Sequence, residues 1–151
     1  MRTSARHRTR PDDEFTPQSL SRKQVLDALR KGRPLGGADL RGTDLSGISF
    51  DGVDMEGTKL ADADLSGCSF KGTNLQGASM WAAKLRNVSF DEANLDLADL
   101  DCADIDACTF LGARIRKTIF PNQRESIDMI EESVRTGSPV SVPSDLSDLL
   151  D

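Results

Sequence analysis

The chain has 151 residues, of which 37% are hydrophobic and 5% aromatic, and it carries a formal net charge of −6. This length suits a single domain, and no apolar run approaches the roughly 20 residues of a membrane-spanning helix. The N-terminus also lacks the apolar segment of a secretory signal, so we expect a soluble, cytoplasmic protein without a membrane span.

The composition argues against an enzyme. The single histidine is His7, tyrosine is absent, and no spacing of cysteines or acids matches a metal site or a nucleophile motif. We therefore predict no catalytic residue, no metal and no cofactor.

Charge is divided unevenly along the chain. Residues 1–35 carry nine Lys/Arg against four Asp/Glu, residues 36–122 eight against fourteen, and residues 123–151 two against seven. We predict that residues 1–18 form a basic, disordered tail. This tail is either a solubilising extension, a targeting peptide or a tether for a polyanion, and elsewhere in the chain direct nucleic-acid binding is not expected.

Residues 19–35 predict a capping helix followed by a short link. Apolar residues recur at helical spacing among polar ones, at Leu20, Val25, Leu26, Ala28 and Leu29. Ser19 and Ser21 are both candidates for the N-cap, and Gly32 followed by Pro34 ends the helix.

From Leu40 to Phe120 every fifth residue has a large apolar side chain. A period of five fits neither a helix nor a strand, and it indicates an internal repeat. In each unit the residue two places earlier is small or β-branched, and the residue between the two is usually polar. Two turn positions follow, the second often glycine. Each unit thus predicts a short, half-buried strand and a corner.

The phenylalanines indicate how the units are arranged. Phe50, Phe70, Phe90 and Phe110 recur at a period of 20, which is four units. The simplest arrangement is a four-sided coil in which these rings form one column. Cys68 and Cys108 then share an inward column about 10 Å apart, beyond disulfide reach, so we expect both to be core residues. Cys102 falls at a corner.

The units at residues 38–42 (ADLRG), 63–67 (ADLSG) and 73–77 (TNLQG) resemble the pentapeptide repeat family. The resemblance covers residues 38–122, or 17 units, and implies an all-β solenoid: a right-handed quadrilateral β-helix of about four coils over residues 36–122. In later units other residues replace glycine at the last turn position, where we expect a different corner geometry: Ala82, Asn87, Glu92, Leu97, Cys102 and Ala107.

Residues 123–137 predict a second capping helix, with Ile127, Ile130 and Val134 on one stripe. The resemblance adds a second interpretation, a homodimer through the C-terminal end, because some family members associate end to end. Residues 138–151 mix acids with valine and leucine. This segment is either a linear docking motif for a partner or a frayed end that lies on its own domain.

Two outward features are candidates for partner contact. Trp81 follows the inward Met80, with Ala61 and Asp101 as its neighbours in the column, and tryptophan is enriched in binding hot spots. The alternative is that a terminal segment covers Trp81. The second feature is a run of seven acids without a base, Asp91, Glu92, Asp96, Asp99, Asp101, Asp104 and Asp106.

The acidic run has two interpretations. It is either a solvated surface or, by resemblance to bacterial pentapeptide repeat proteins that bind type II topoisomerases, a mimic of duplex DNA. Lys59, Lys71, Lys84 and Arg86 interrupt the first coils, and an end-to-end dimer would be the better mimic. We therefore predict a non-catalytic interaction or scaffold module for a protein partner that the sequence does not identify, with the DNA mimic as the alternative.

Overall fold

Two α-helices and three short strands lie within residues 19–142, the part of the chain that the computed structural model describes. Helix α1 spans Arg22–Arg30, strand β1 Lys84–Arg86, strand β2 Asp104–Cys108, helix α2 Gln123–Thr136 and strand β3 Val140–Val142. The predicted basic tail, residues 1–18, and residues 143–151 of the predicted acidic segment lie outside the described residues.

Between the two helices the chain coils so that it returns to the same side after every 20 residues. Parallel bridges join residues 20 apart in four columns, and we call the four sides faces A to D in chain order. The bridging residues are 39, 59, 79, 99 and 119 on face A, 44, 64, 84 and 104 on face B, 49, 69, 89 and 109 on face C, and 54, 74, 94 and 114 on face D. The period predicted from the phenylalanines is therefore the observed one.

The large residue of each unit points inward and forms the core. All of these residues are buried except Ile115, which is half-buried. The four phenylalanines of face C stack with ring centroids 5.1, 5.4 and 5.2 Å apart and planes within 13° of each other. Phe120 lies edge-on to Phe110 at 5.9 Å and ends the column. Core contacts thus run from each coil to the next.

The second inward position of each unit adds hydrogen bonds to the packing. Thr73 donates its hydroxyl to the carbonyl of Phe50, 23 residues earlier, at 2.6 Å, and Thr58 makes the equivalent bond at 3.0 Å. Cys68 and Cys108 occupy the same position, and burial raises the pKa of their thiols to about 11 and about 12. Both cysteines are core residues, as predicted.

The corners show that one prediction is wrong at four of its six residues. The last turn residue has a positive φ at every corner, whether or not it is glycine. The turn hydrogen bond and a φ of 59–64° are both present at four corners for which we predicted a different geometry: Ala82, Glu92, Leu97 and Cys102. The corners at Asn87 and Ala107 do differ, as predicted: both residues keep a positive φ, but the chain leaves β1 at Asn87 and continues through β2 at Ala107 without forming the turn. The bonds between coils hold the corner in this conformation, although a positive φ costs a non-glycine residue about 1–2 kcal/mol.

Helix α1 lies against the first coil at the N-terminal end. Its N-cap is Ser21, one of the two candidates, which forms a capping box with Gln24. The N–H of Leu20 donates to the carbonyl of Asp39 at 2.8 Å, and Arg22 donates to the carbonyl of Ser46 at 2.9 Å. These bonds satisfy backbone acceptors at the start of the coil.

Helix α2 and strand β3 lie against the other end. Ile130 is fully buried, and Ser133 accepts the N–H of Phe110 at 3.1 Å. Strand β3 pairs antiparallel with β2, so that it continues face B beyond the last strand. Strand β3 was not predicted from the sequence, because three residues are too few to show an alternating pattern.

The corners predict opposite effects for two substitutions. A Cβ added at Gly77, where φ is 68°, meets nothing within 4 Å, so Gly77→Ala changes only the backbone preference. We expect the free energy of unfolding to fall by about 1 kcal/mol. Ala82→Gly should raise it by a smaller amount, because glycine also gains entropy in the unfolded chain. Urea unfolding of both variants is the measurement, and equal stabilities would contradict the corner assignment.

Asp39 predicts a pH-dependent contribution to stability. Two guanidinium bonds from Arg41, at 2.8 and 2.7 Å, lower the pKa of this buried carboxyl from 3.8 to about 2. Because the folded pKa is the lower one, the ionised Asp39 stabilises the fold above pH 3.8, and this contribution is lost as the pH falls toward 2. Asp39→Asn should therefore lower unfolding free energy at neutral pH, with a deficit that shrinks in acid. Arg41→Gln should follow the same trend, whereas a deficit that is constant with pH would contradict the assignment.

Candidate functional site

Trp81 lies on face A with its side chain directed outward. The backbone around it is bonded to the neighbouring coils, with the N–H of Asp62 donating to the carbonyl of Trp81 at 2.9 Å and the N–H of Ala82 donating to that of Asp101 at 3.0 Å. The side chain is 46% exposed. Trp81 therefore occupies the outward column predicted for it, and within residues 19–142 it is only partly covered.

Acidic and apolar side chains also lie on face A, on the two coils that follow the coil of Trp81. Asp99 accepts the N–H of Asp101 at 2.9 Å, and Asp101 accepts the N–H of Cys102 at 3.0 Å, so both carboxylates are held on the backbone. Ile119 bridges to Asp99 on the next coil and is 49% exposed. We call Trp81, Asp99, Asp101, Cys102 and Ile119 the Trp81 patch.

Cys102 does not make this patch a nucleophilic site. Desolvation and the Asp101 and Asp99 carboxylates raise the pKa of its thiol, while a hydrogen bond with Trp81 lowers it. The net shift is upward, and the thiolate is the reactive form of cysteine. The exposed Cys102 is thus a neutral thiol within the Trp81 patch.

The acidic run does not form a continuous charged band. Asp96 is buried, and its carboxylate accepts bonds from Arg114 Nη2 at 2.6 Å and from the N–H of Arg116 at 2.9 Å. Burial opposes ionisation of Asp96, but these two bonds outweigh it and lower the pKa of the carboxyl. Asp104 pairs with Arg86 at 2.9 Å. Arginines 18 residues away along the chain therefore neutralise two of the seven acids.

Two other members of the run accept hydrogen bonds from neighbouring segments. Asp91 accepts the N–H of Leu111 at 3.0 Å, and Asp106 accepts the hydroxyl of Ser141 at 2.8 Å. Glu92 lies exposed at a corner on another side of the coil. Of the seven acids, the structure brings Asp99 and Asp101 together beside Trp81, and within residues 19–142 neither forms a salt bridge.

The stripe proposed for capping or dimerisation packs on the coil. Ile130 is in the core, and Ile127 and Val134 are half-buried against it. Met129, on the outer side of α2, is exposed. The stripe therefore faces the coil, and both the capping role and the dimer contact stay predictions.

A cavity on face D was not identified from the sequence. It has a volume of about 560 Å³ and is lined by Gln76, Asp96, Leu97, Arg114, Arg116 and Lys117. Its signal in the sequence is the basic group at residues 114–117 directly after the acidic run. The lining residues all lie on face D or at its adjoining corner, in three successive coils.

Two other kinds of site are absent from the described residues. No group of three or more His, Cys, Asp or Glu in residues 19–142 could hold a metal ion. Neither α1 nor α2 is long and apolar enough to cross a bilayer.

Comparison with known proteins identifies the family. A family model for the pentapeptide repeat region matches residues 43–120. No curated protein matches the chain.

Two solved structures share the fold. A pentapeptide repeat protein from the cyanobacterium Cyanothece 51142 is 27% identical, with a TM-score of 0.56, over 73% of this chain and 69% of that one. A pentapeptide repeat protein from the thylakoid lumen of Arabidopsis thaliana is 21% identical, with a TM-score of 0.59, over 74% of this chain and 87% of that one. Together with the 20-residue coil, these matches establish that the chain belongs to the pentapeptide repeat family, whose fold is a right-handed quadrilateral β-helix.

Proposed function

We propose that this protein is a non-catalytic interaction module and that it binds a protein partner through the Trp81 patch. The observation that carries the proposal is the half-exposed Trp81 beside two carboxylates that have no cationic partner within residues 19–142. A large aromatic side chain next to an unpaired charge is typical of a hot spot and its rim.

The backbone supports binding at this patch. Hydrogen bonds to the coils on both sides hold the residues around Trp81, so little conformational entropy is lost when a partner binds. The charges favour a partner that presents an apolar group together with lysine or arginine. Such a cation can pair with Asp99 or Asp101 and contact the face of the indole ring.

We further propose that α1 and α2 cap about four coils. Three contacts support this role: the N–H bond from Leu20 to the first coil, the Ser133 bond to Phe110, and the buried Ile130. Caps of this kind keep the sheet edges at the ends of the solenoid from pairing with other chains. A homodimer through the C-terminal end remains a separate prediction.

The topoisomerase-binding alternative has less support. A DNA mimic needs a continuous acidic surface, whereas arginines neutralise Asp96 and Asp104 and the remaining acids of the run lie on different faces. The acidic coils and the family fold favour this alternative, and the internal ion pairs count against it. The predicted cytoplasmic location is likewise untested, and one structural relative comes from a thylakoid lumen.

Trp81→Ala tests the proposed function. Loss of a hot-spot tryptophan should weaken partner binding tenfold or more, while the unfolding free energy should change little because the side chain is half-exposed. The measurement is quantitative retention of host proteins on the immobilised chain, combined with urea unfolding. Leu26→Ala, a similarly exposed residue on α1, is the matched control. A large stability loss, or equal retention by both variants, would contradict the proposal.

A supercoiling assay with purified DNA gyrase separates the two candidate functions. The interaction-module proposal predicts neither inhibition of supercoiling nor protection from a quinolone at micromolar concentrations of this protein. Inhibition that is lost when Asp99 and Asp101 are changed to asparagine would support the DNA mimic instead. Solution mass should be measured in the same samples, because the mimic requires a longer acidic surface than one chain provides.

A further inference from the structure

The last coil presents an open sheet edge on face D. In earlier coils of this face, the N–H of Leu95 donates to the carbonyl of Arg114 and the N–H of Leu97 to that of Arg116, both at 2.8 Å. Ile115 and Lys117 hold the equivalent positions one coil later. Their N–H groups have no acceptor in residues 19–142.

The other three faces of the last coil are closed. On face A the side chain of Gln123 accepts the N–H of Phe120 at 2.8 Å, and on face B strand β3 pairs with β2. On face C the carbonyl of Val134 accepts the N–H of Gly112 at 2.8 Å. The described C-terminal elements therefore cover three sides of the coil and leave one open.

The core beneath this edge is also incompletely covered. Ile115 is half-buried, whereas the other large inward residues from Leu40 to Phe120 are all buried. Leu97, at the adjoining corner, is 55% exposed. A further strand laid along residues 113–117 would bury apolar surface as well as pair the two N–H groups.

Charge defines what such a strand should contain. The cavity of about 560 Å³ beside the edge is lined by three cations, Arg114, Arg116 and Lys117. The one carboxylate among its lining residues, Asp96, already accepts bonds from Arg114 and from the backbone of Arg116. An excess of two positive charges remains on a chain whose formal net charge is −6.

We propose that the edge at residues 113–117, the face D edge, binds an extended acidic peptide segment of a partner protein by strand addition. The carbonyls of the peptide accept the N–H groups of Ile115 and Lys117. Because side chains alternate along a strand, its acidic residues meet Arg114 and Arg116 while an apolar residue between them covers Ile115.

Two observations select this occupant. N–H groups two residues apart need a row of carbonyl acceptors, which a peptide has and a free phosphate lacks. Val142, the last described residue of the chain's own acidic segment, pairs with Ile105 on face B, opposite face D. The face D edge shares no residue with the Trp81 patch, so the two proposals stand or fall separately.

The test uses the full chain and a fluorescein-labelled peptide of alternating aspartate and valine, nine residues long, followed by anisotropy. We expect saturable binding that falls tenfold or more in the double variant Arg116→Glu/Lys117→Glu. The matched control is Lys71→Glu/Lys84→Glu, which makes the same charge change on faces C and B. Trp81→Ala should bind the peptide like the parent chain.

Peptide chemistry distinguishes strand addition from simple charge attraction. A peptide N-methylated at alternate amides should lose binding on one of its two edges, and a lysine–valine peptide should not bind. Equal affinity for N-methylated peptides of both phases, equal weakening by the control variant, or no binding of the acidic peptide would each overturn the proposal. So would a tenfold gain in affinity when Asp145, Asp148 and Asp151 are all changed to lysine, because the chain's own segment would then be the occupant.

Discussion

The structure depends on one hydrogen bond that recurs between coils: before the last coil, the N–H of a large inward residue donates to a carbonyl 19 residues later, as from Leu40 to Lys59 and from Leu100 to Ile119. This bond sets the strand spacing, stacks the phenylalanines of face C and imposes a positive φ at every corner. Ala82 and Leu97 adopt that φ without being glycine, so the pairing of coils is stronger than the local preference of these residues. The same bond, left unpaired at Ile115, defines the open edge.

Much of the fold was predictable from the sequence because its core has a short period. The series from Leu40 to Phe120 and the four phenylalanines predict inward directions and a 20-residue coil, and the structure agrees. The corners at Ala82 and Cys102 were mispredicted because bonds between coils override the local turn preference of these residues. Strand β3 was missed because Val140–Val142 acquires its partner only from distant residues of β2.

The direction of the candidate side chains was predictable from the sequence, but the pairing of their charges was not. The phase of the repeat places Trp81 outward, and the structure agrees. The seven acids looked unpaired because their partners lie about one coil away, where Arg86 meets Asp104 and Arg114 meets Asp96. The face D edge could not be predicted, since it depends on where α2 and β3 cover the last coil. In a solenoid, the coil length therefore determines which charged residues form pairs, rather than their proximity in the chain.

Each side of the coil is one unit of five residues, and this length determines what an insertion or deletion does to the fold. Loss of one unit would keep every inward residue inward, because the next large side chain takes the same place in the core. It would also rotate everything downstream by a quarter turn, bringing phenylalanines against leucines and separating Arg114 from Asp96. Loss of 20 residues would shorten the rod and leave the faces aligned. Duplications and deletions of whole coils can thus alter the length of this protein while its binding faces keep their relative orientation.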